Sequence, residues 1–286
     1  MRPDPAAIEA LVRMALSEDA PWGDITAQTL IPVDARTTAK LVAREDGVLC
    51  GEDLFSTAMR LTGGVATTFQ LHDGSTFNRG ALIATIEGSA RAILTAERVA
   101  LNFTQRLSGI ATLTARYVHE VAHTTARIVD TRKTTPGLRL IERYAVRCGG
   151  AHNHRFSLSD ALMAKDNHLA ILTSNGERSL TESLREGFAT LPHTTHKEVE
   201  VDRIDQIESV LAAGADTVML DNFSLEDMRA GVALIRERAP QVLIEASGNV
   251  SLDTVRAIAE TGVDVISVGA LTHSVRALDL GLDIDA

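Results

Sequence analysis

The stretch KEVEVDRIDQIESVLAAGADTVMLDNFSLEDMRAGVALIRERAPQVLIEASGN, residues 197–249, decides the fold. Three short runs rich in Val, Ile and Leu (KEVEV, DTVML and QVLIEA) alternate with two segments of helical spacing, IDQIESVLAAG and SLEDMRAGVALIRERA. Strand, helix, strand in this rhythm predicts βα units and a parallel sheet. Strands covered on both faces read as nearly continuous apolar runs, as these do. Each run also stops in polar groups: Asp202, then Asp221-Asn222, then Ser247-Gly248-Asn249.

The same grammar extends outward. ARIVD runs into Thr131-Arg132-Lys133-Thr134, ALMA into Lys165-Asp166-Asn167-His168, and VDVISV into Gly269-Ala270. Polar groups at the C-terminal ends of successive strands mark a β/α barrel of six or seven strands, with its site at that end. A doubly wound open sheet would gather function at one crevice instead. Before Arg127 the texture differs. An amphipathic helix opens the chain, and TAKLVAREDGVLCG and TTFQLHDGSTFNRGALIATIEG then alternate as antiparallel strands do. Residues 89–120 read as helix, with Ser89 as a cap and Ser108-Gly109 expected to break the run in two. HDGSTFNRGALIATIEG faintly resembles half of a lipoyl or biotinyl domain, but its turn, Thr76-Phe77-Asn78-Arg79, has no lysine to modify.

Composition excludes several classes. A net charge of −10 and only 3 % aromatics argue against nucleic-acid binding, which calls for a basic face and stacking rings. No run approaches the length of a membrane span, and no signal peptide is apparent, so a soluble cytoplasmic protein is expected. Cys50 and Cys148 lie outside any CxxC spacing, which fits a reducing compartment and no structural zinc. His152 and His154 have no third ligand at zinc spacing.

If the strands form a barrel, their ends gather Arg132, Lys133, Arg155 and Lys165, with His152, His154 and His168 nearby. Unpaired buried cations are expensive, so in an acidic protein this set implies an anionic ligand. Glu200 and Asp221 suit magnesium. Of Glu198 and Glu200, flanking a buried valine, only one is expected to face inward. Gly-rich turns at 247–249 and 269–270 are expected to offer backbone N–H groups at helix N-termini as phosphate cradles. Chemistry alone points to phosphoryl or phosphoribosyl compounds. Blander readings exist: Arg132-Lys133 as a solvated turn, Lys165 as a surface lysine, Asp221 as a helix cap, His273 as a helix-start residue, and Arg98 as an ordinary helix-face charge.

The segment DTRKTTPGLRLIERYAVRCGGAHNHRFSLSDALMAKDNH, residues 130–168, resembles the signature region of the quinolinate phosphoribosyltransferase family. EVEVD at 198–202, MLDNF at 219–223, EASGNV at 245–250, and ETGVDVISVGALTHSVRALDLGLDI at 260–284 resemble it in order, as do GDIT at 23–26, TAERVALNF at 95–103 and LSGIAT at 107–112. The resemblance implies an N-terminal α/β sandwich domain, residues 1–109 with the tail 272–286 packing back onto it. An irregular open α/β barrel at 110–271 would follow. It implies transfer of phosphoribosyl from phosphoribosyl pyrophosphate to quinolinate with decarboxylation, magnesium as cofactor, and a homodimer in which Arg98 crosses to the partner's site. By motif, Arg132, His154, Arg155 and Lys165 would hold the two quinolinate carboxylates, Lys133 would touch both substrates, and Thr131 would be a further substrate-binding residue. Glu200 and Asp221 would bind ribose hydroxyls and magnesium. Ser247, Gly248, Asn249, Gly269 and His273 would cradle the 5-phosphate, with Val268 and Ala270 among the substrate-binding residues. Lys133, Lys165, Glu200 and Asp221 would be the catalytic set. Thr135, Ala151, Phe156 and Ser157 depart from the usual pattern; none is a charged contact. Against this stand a same-fold transferase for another acceptor such as nicotinate, a Schiff-base lyase using Lys165, and a non-catalytic phosphate binder.

Overall fold

The computed structural model describes residues 2–174, 176 and 178–284. In chain order the elements are α1 (Pro5–Asp19), α2 (Ile25–Leu30), β1 (Arg36–Ala43), β2 (Gly47–Val48), α3 (Glu52–Gly63), β3 (Ala66–Phe69), β4 (Thr76–Phe77), β5 (Leu82–Ser89) and α4 (Ala90–Val121). There follow β6 (Arg127–Val129), α5 (Arg139–Cys148), β7 (Leu162–Ala164), α6 (Asp166–Thr173), α7 (Leu180–Ala189), β8 (Lys197–Val201), α8 (Ile207–Ala213) and β9 (Thr217–Asp221). The chain closes with α9 (Leu225–Arg238), β10 (Leu243–Ser247), α10 (Val255–Ala259), β11 (Val265–Ser267), α11 (Ala270–His273) and β12 (Leu280–Ile284).

Two compact units result. The first takes the residues up to 115, residues 134–150, and those from 274 onward. Its antiparallel sheet has the order β12-β1-β5-β3, so the last strand of the chain pairs with the first. Along β1, Ala39, Leu41 and Ala43 are buried while Thr38, Lys40 and Val42 are part-exposed, the signature of a sheet with one covered face. The fully buried Phe55 of α3 meets the part-exposed Phe69 of β3 edge-on at 5.9 Å. The sequence boundaries expected at 109/110 and 271/272 differ from this division chiefly in α5, which clusters with the first unit.

The expected break at Ser108-Gly109 does not occur: α4 runs unbroken for 32 residues. Both residues have packing reasons to be there. The Ser108 hydroxyl bridges the Cys50 backbone, accepting from its N–H at 3.0 Å and donating to its carbonyl at 3.2 Å. A Cβ at Gly109 would lie 2.1 Å from the Arg276 carbonyl oxygen, so this glycine permits a close backbone approach.

The second unit, residues 116–133 and 151–273, carries six parallel strands in the order β6-β11-β10-β9-β8-β7. No ladder joins β6 to β7, so the barrel is open. Beyond β6, one parallel bridge, Val129 to His152, extends the sheet by a single residue. No helix is long and apolar enough to cross a membrane among the described residues.

Candidate active site

The parallel register sets which side chains share the inner face of the second sheet. Met163 lies beside Glu198, Glu200 beside Met219, Met219 beside Glu245, and Asp221 beside Ser247. Side chains two apart on a strand point the same way. Glu198 and Glu200 are therefore both inward, at 3 % and 6 % exposure. The expectation that only one faces in is corrected: the valine between them, not one of the glutamates, takes the opposite face.

Above this face lies a cavity of about 610 Å³ lined by Thr131, Arg132, Lys133, His154, Arg155, Lys165, Glu200, Asp221, Ser247, Gly248 and Asn249, with Met163, Met219, Asn222 and Ser267. Eleven residues singled out from sequence are thus gathered in one place. The cations come from the chain following β6, from the segment after the His152 bridge and from the end of β7; the acids and small polar groups come from the central strands. Lys165 is ion-paired with the nearly buried Glu200. Asp221 is half-buried and accepts from Asn222 Nδ2 at 2.7 Å. The Nε of Arg132 is buried without a hydrogen-bond partner. An orphaned guanidinium N–H in a cavity is a donor held ready for a ligand.

Arg155 does structural work as well. Its guanidinium donates to the Ala161 carbonyl at 3.1 Å and reaches Met163 Sδ at 3.4 Å, spanning to β7 where no ladder exists. Burial and then the like charge of Arg132 lower its pKa, so these two guanidiniums oppose each other until an anion arrives.

Beneath them sits a cluster that sequence reading missed. His154 Nε2 faces Glu198 at 3.2 Å and Glu245 at 3.5 Å, while its Nδ1 accepts from the Arg155 N–H at 2.7 Å. The buried Asp130 anchors the segment by accepting from the His154 N–H at 2.8 Å and from Asn153 Nδ2 at 2.6 Å. Burial works against a charged imidazole, but the hydrogen bonds to Glu198 and Glu245 prevail and hold His154 up to about 10. Burial also raises Glu245. With Nδ1 accepting from the backbone, the ring directs its Nε2–H at the two glutamates. Glu198 Oε1 and Glu245 Oε1 have no hydrogen-bond partner. Glu245 opens the EASGNV motif, and spacing marks it only as a charge within an apolar run.

The next strand ends differ from expectation in one respect. After Ser247 the helix α10 begins only at Val255 and has five residues, and α11 has four, so neither turn presents a substantial helix N-terminus. The loops are instead shaped by left-handed backbone at Asn222 (φ 57°), Gly248 (φ 94°) and Asn249 (φ 48°). A Cβ at Gly248 would fall 2.2 Å from Asn222 Oδ1, and Asn249 Nδ2 donates to that same oxygen at 3.1 Å. Val268 is fully buried and continues the ladder to Val129, so only its backbone is on offer. Gly269 and His273 are in contact with the Lys133 side of the cavity: a Cβ at Gly269 would meet His273 Nε2 at 2.9 Å and Lys133 Cδ at 3.1 Å. Ala270, half-exposed, starts α11, and Thr272 Oγ1 donates to the Lys133 carbonyl at 2.8 Å. Arg98 belongs to the first unit, exposed on α4 between buried Ala96 and Val99. Of the departures, Thr135 donates its N–H and hydroxyl to the buried Glu142 at 3.0 and 2.8 Å. Ala151 is buried, and Phe156 and Ser157 are both capped by Asp160.

The family profile of the quinolinate phosphoribosyl transferase C-terminal domain matches residues 110–283, and that of the N-terminal domain matches residues 24–108. The nicotinate-nucleotide pyrophosphorylase [carboxylating] of Mycobacterium leprae is 42 % identical over 277 residues, 96 % of this chain and 95 % of its own length. A probable enzyme of the same name from Bacillus subtilis is 38 % identical, covering 97 % of this chain and 93 % of the relative. The solved nicotinate-nucleotide pyrophosphorylase of Francisella tularensis superposes with a TM-score of 0.90 at 40 % identity, over 99 % of this chain and 97 % of that one.

Proposed function

Because this chain belongs to the quinolinate phosphoribosyl transferase family, we propose that it transfers the phosphoribosyl group of phosphoribosyl pyrophosphate to quinolinate, releasing pyrophosphate and carbon dioxide and forming nicotinate mononucleotide for NAD biosynthesis. One observation carries this reading: the orphaned Arg132 Nε shares a cavity with three further cations and two carboxylates. A doubly carboxylated ring and a pyrophosphorylated sugar are the anions that such a set neutralises together.

Arg132 and Arg155 take the carboxylates of the ring, with Thr131 and Lys165 beside them and His154 fixed below by its two glutamates. Lys133 stands between the acceptor and the sugar phosphate. Glu200 and Asp221 order the ribose hydroxyls. As C1 becomes electron-poor, these fixed charges stabilise the separating partners without reorganising. The ring nitrogen forms the new bond to C1, the C1–O bond to pyrophosphate breaks, and the quaternised ring accepts the electron pair left when the 2-carboxylate departs. A proton from solvent then replaces carbon dioxide at that ring carbon. The loop at Ser247, Gly248 and Asn249, with the turn at Val268, Gly269, Ala270 and His273, receives the 5-phosphate. Two carboxylates on adjacent strands fit magnesium, which takes one or two carboxylates, waters and phosphate oxygens. Glu200 and Asp221 would hold it, and bound there it would offset charge on the leaving pyrophosphate.

A Schiff-base lysine works as a neutral amine, whereas Lys165 is held in an ion pair with Glu200. The exposed Arg98 is available to a second copy, and a cytoplasmic homodimer in which it completes the partner's cavity agrees with that exposure. The deciding assay follows quinolinate absorbance and carbon dioxide with and without phosphoribosyl pyrophosphate. Both should change only when the sugar donor is present. Consumption of nicotinate with quinolinate untouched would refute the assignment.

A further inference from the structure

Away from the cavity, in the first unit, Cys50, Asp73 and Cys148 bring their ligand atoms within 4.8 Å of one another. Cys50 is fully buried just before α3, and Cys148 is half-buried at the last turn of α5. The two sulfurs therefore lie within 4.8 Å of each other. The acid between them is already committed. Asp73 Oδ1 accepts from the Gly51 and Glu52 N–H groups at 2.8 and 3.1 Å, capping α3, and Oδ2 accepts from the Tyr144 hydroxyl at 2.9 Å. A metal would have to displace these donors, whereas sulfur-to-sulfur bonding leaves them in place.

We propose that Cys50 and Cys148 form a reversible intramolecular disulfide, a modification site distinct from the phosphoribosyl chemistry and independent of it, which low-molecular-weight disulfides oxidise. The two cysteines have different duties. The neighbouring Cys50 thiol lowers the Cys148 thiol against the pull of burial, while burial pushes Cys50 well up. Cys148, as thiolate, is the attacking sulfur. It attacks one sulfur of RS–SR, forming Cys148–S–SR and releasing RS⁻. Cys50 passes its proton to RS⁻ and its sulfur attacks Cys148 Sγ, expelling the second RS⁻, which is protonated by solvent. The sum is two protein thiols plus RSSR giving one protein disulfide plus two RSH; the protein is oxidised and the reagent reduced.

The bond would close a loop running from the start of α3 to the end of α5. Loops this long are where a disulfide most restricts the unfolded chain. The test uses the purified full-length chain, reduced and then incubated with oxidised glutathione. We expect the loss of two hydrogens in intact mass and a non-reduced peptide joining Cys50 to Cys148. A melting temperature higher by roughly 5 °C and full reversal by dithiothreitol should accompany them. In Cys50→Ser, the same treatment should stop at a glutathione adduct on Cys148; in Cys148→Ser, Cys50 should stay unmodified. A stable adduct on the wild-type Cys148 with Cys50 still reduced would overturn the proposal. So would disulfides only between chains, or stoichiometric zinc that leaves both sulfurs unreactive.

Discussion

The two sheets handle charge in opposite ways. In the antiparallel sheet of the first unit, buried positions of β1 hold Ala39, Leu41 and Ala43, and polar residues keep to the alternate, part-exposed positions. In the parallel sheet of the second unit, the inner face of β8 and β10 holds Glu198, Glu200 and Glu245, all nearly buried. A strand covered on both faces has no solvent side for a carboxylate, so each acid must find a cation. Glu200 finds Lys165; Glu198 and Glu245 share His154. The violation of the apolar rule is what separates a sheet that builds a core from one that builds a site.

The comparison breaks most severely at the mouth of the cavity. Glu200→Ala should lower kcat by about 10³-fold, close to 4 kcal/mol of transition-state stabilisation, with the fold intact by circular dichroism; retention of activity would reduce β8 to scaffold. Next comes the buried cluster. His154→Gln strips the partner from two buried acids and should cost about 3 kcal/mol at pH 7, read by urea denaturation. The folded cluster keeps a proton that the unfolded chain gives up, since His154 is held up to about 10 against an ordinary 6.5. The stabilisation is therefore complete below about 6.5 and lost as pH rises through about 10. The difference between wild type and His154→Gln should shrink between pH 7 and 10; a constant difference would assign the loss to packing alone. A smaller effect is expected at the orphaned donor. Arg132→Ala should raise KM for quinolinate about 10- to 100-fold, the worth of a charge-assisted hydrogen bond, with a lesser change for the sugar donor. The smallest is the control in the other sheet: Thr68→Lys, exposed on β3, should shift stability by no more than about 0.5 kcal/mol.

The parallel unit was legible because its strands are short, apolar and end abruptly, and all six lie where the periodicity places them. Nine of the eleven cavity residues singled out from sequence, all but His154 and Arg155, were legible for the same reason: a strand end is a position that sequence can mark. Glu245 and the pairing of Glu198 were not, because the partner of a buried acid is set by which strands become neighbours. Ser108-Gly109 misled for a related reason. Local propensity favours a break there, but close approach of the Arg276 backbone and hydrogen bonds to Cys50 repay continuity. The meeting of Cys50 with Cys148 left no trace in spacing, since a helix and a loop distant in sequence bring them together.

Arg155 carries a consequence beyond ligand binding. Between the end segment at 152–155 and β7, its guanidinium supplies the closure that backbone ladders supply elsewhere in the sheet. A clasp made from one side chain can be loosened by one codon, whereas a ladder cannot. Changes in the shape of the accepted ring are therefore most accessible to selection at this seam, leaving the rest of the sheet undisturbed.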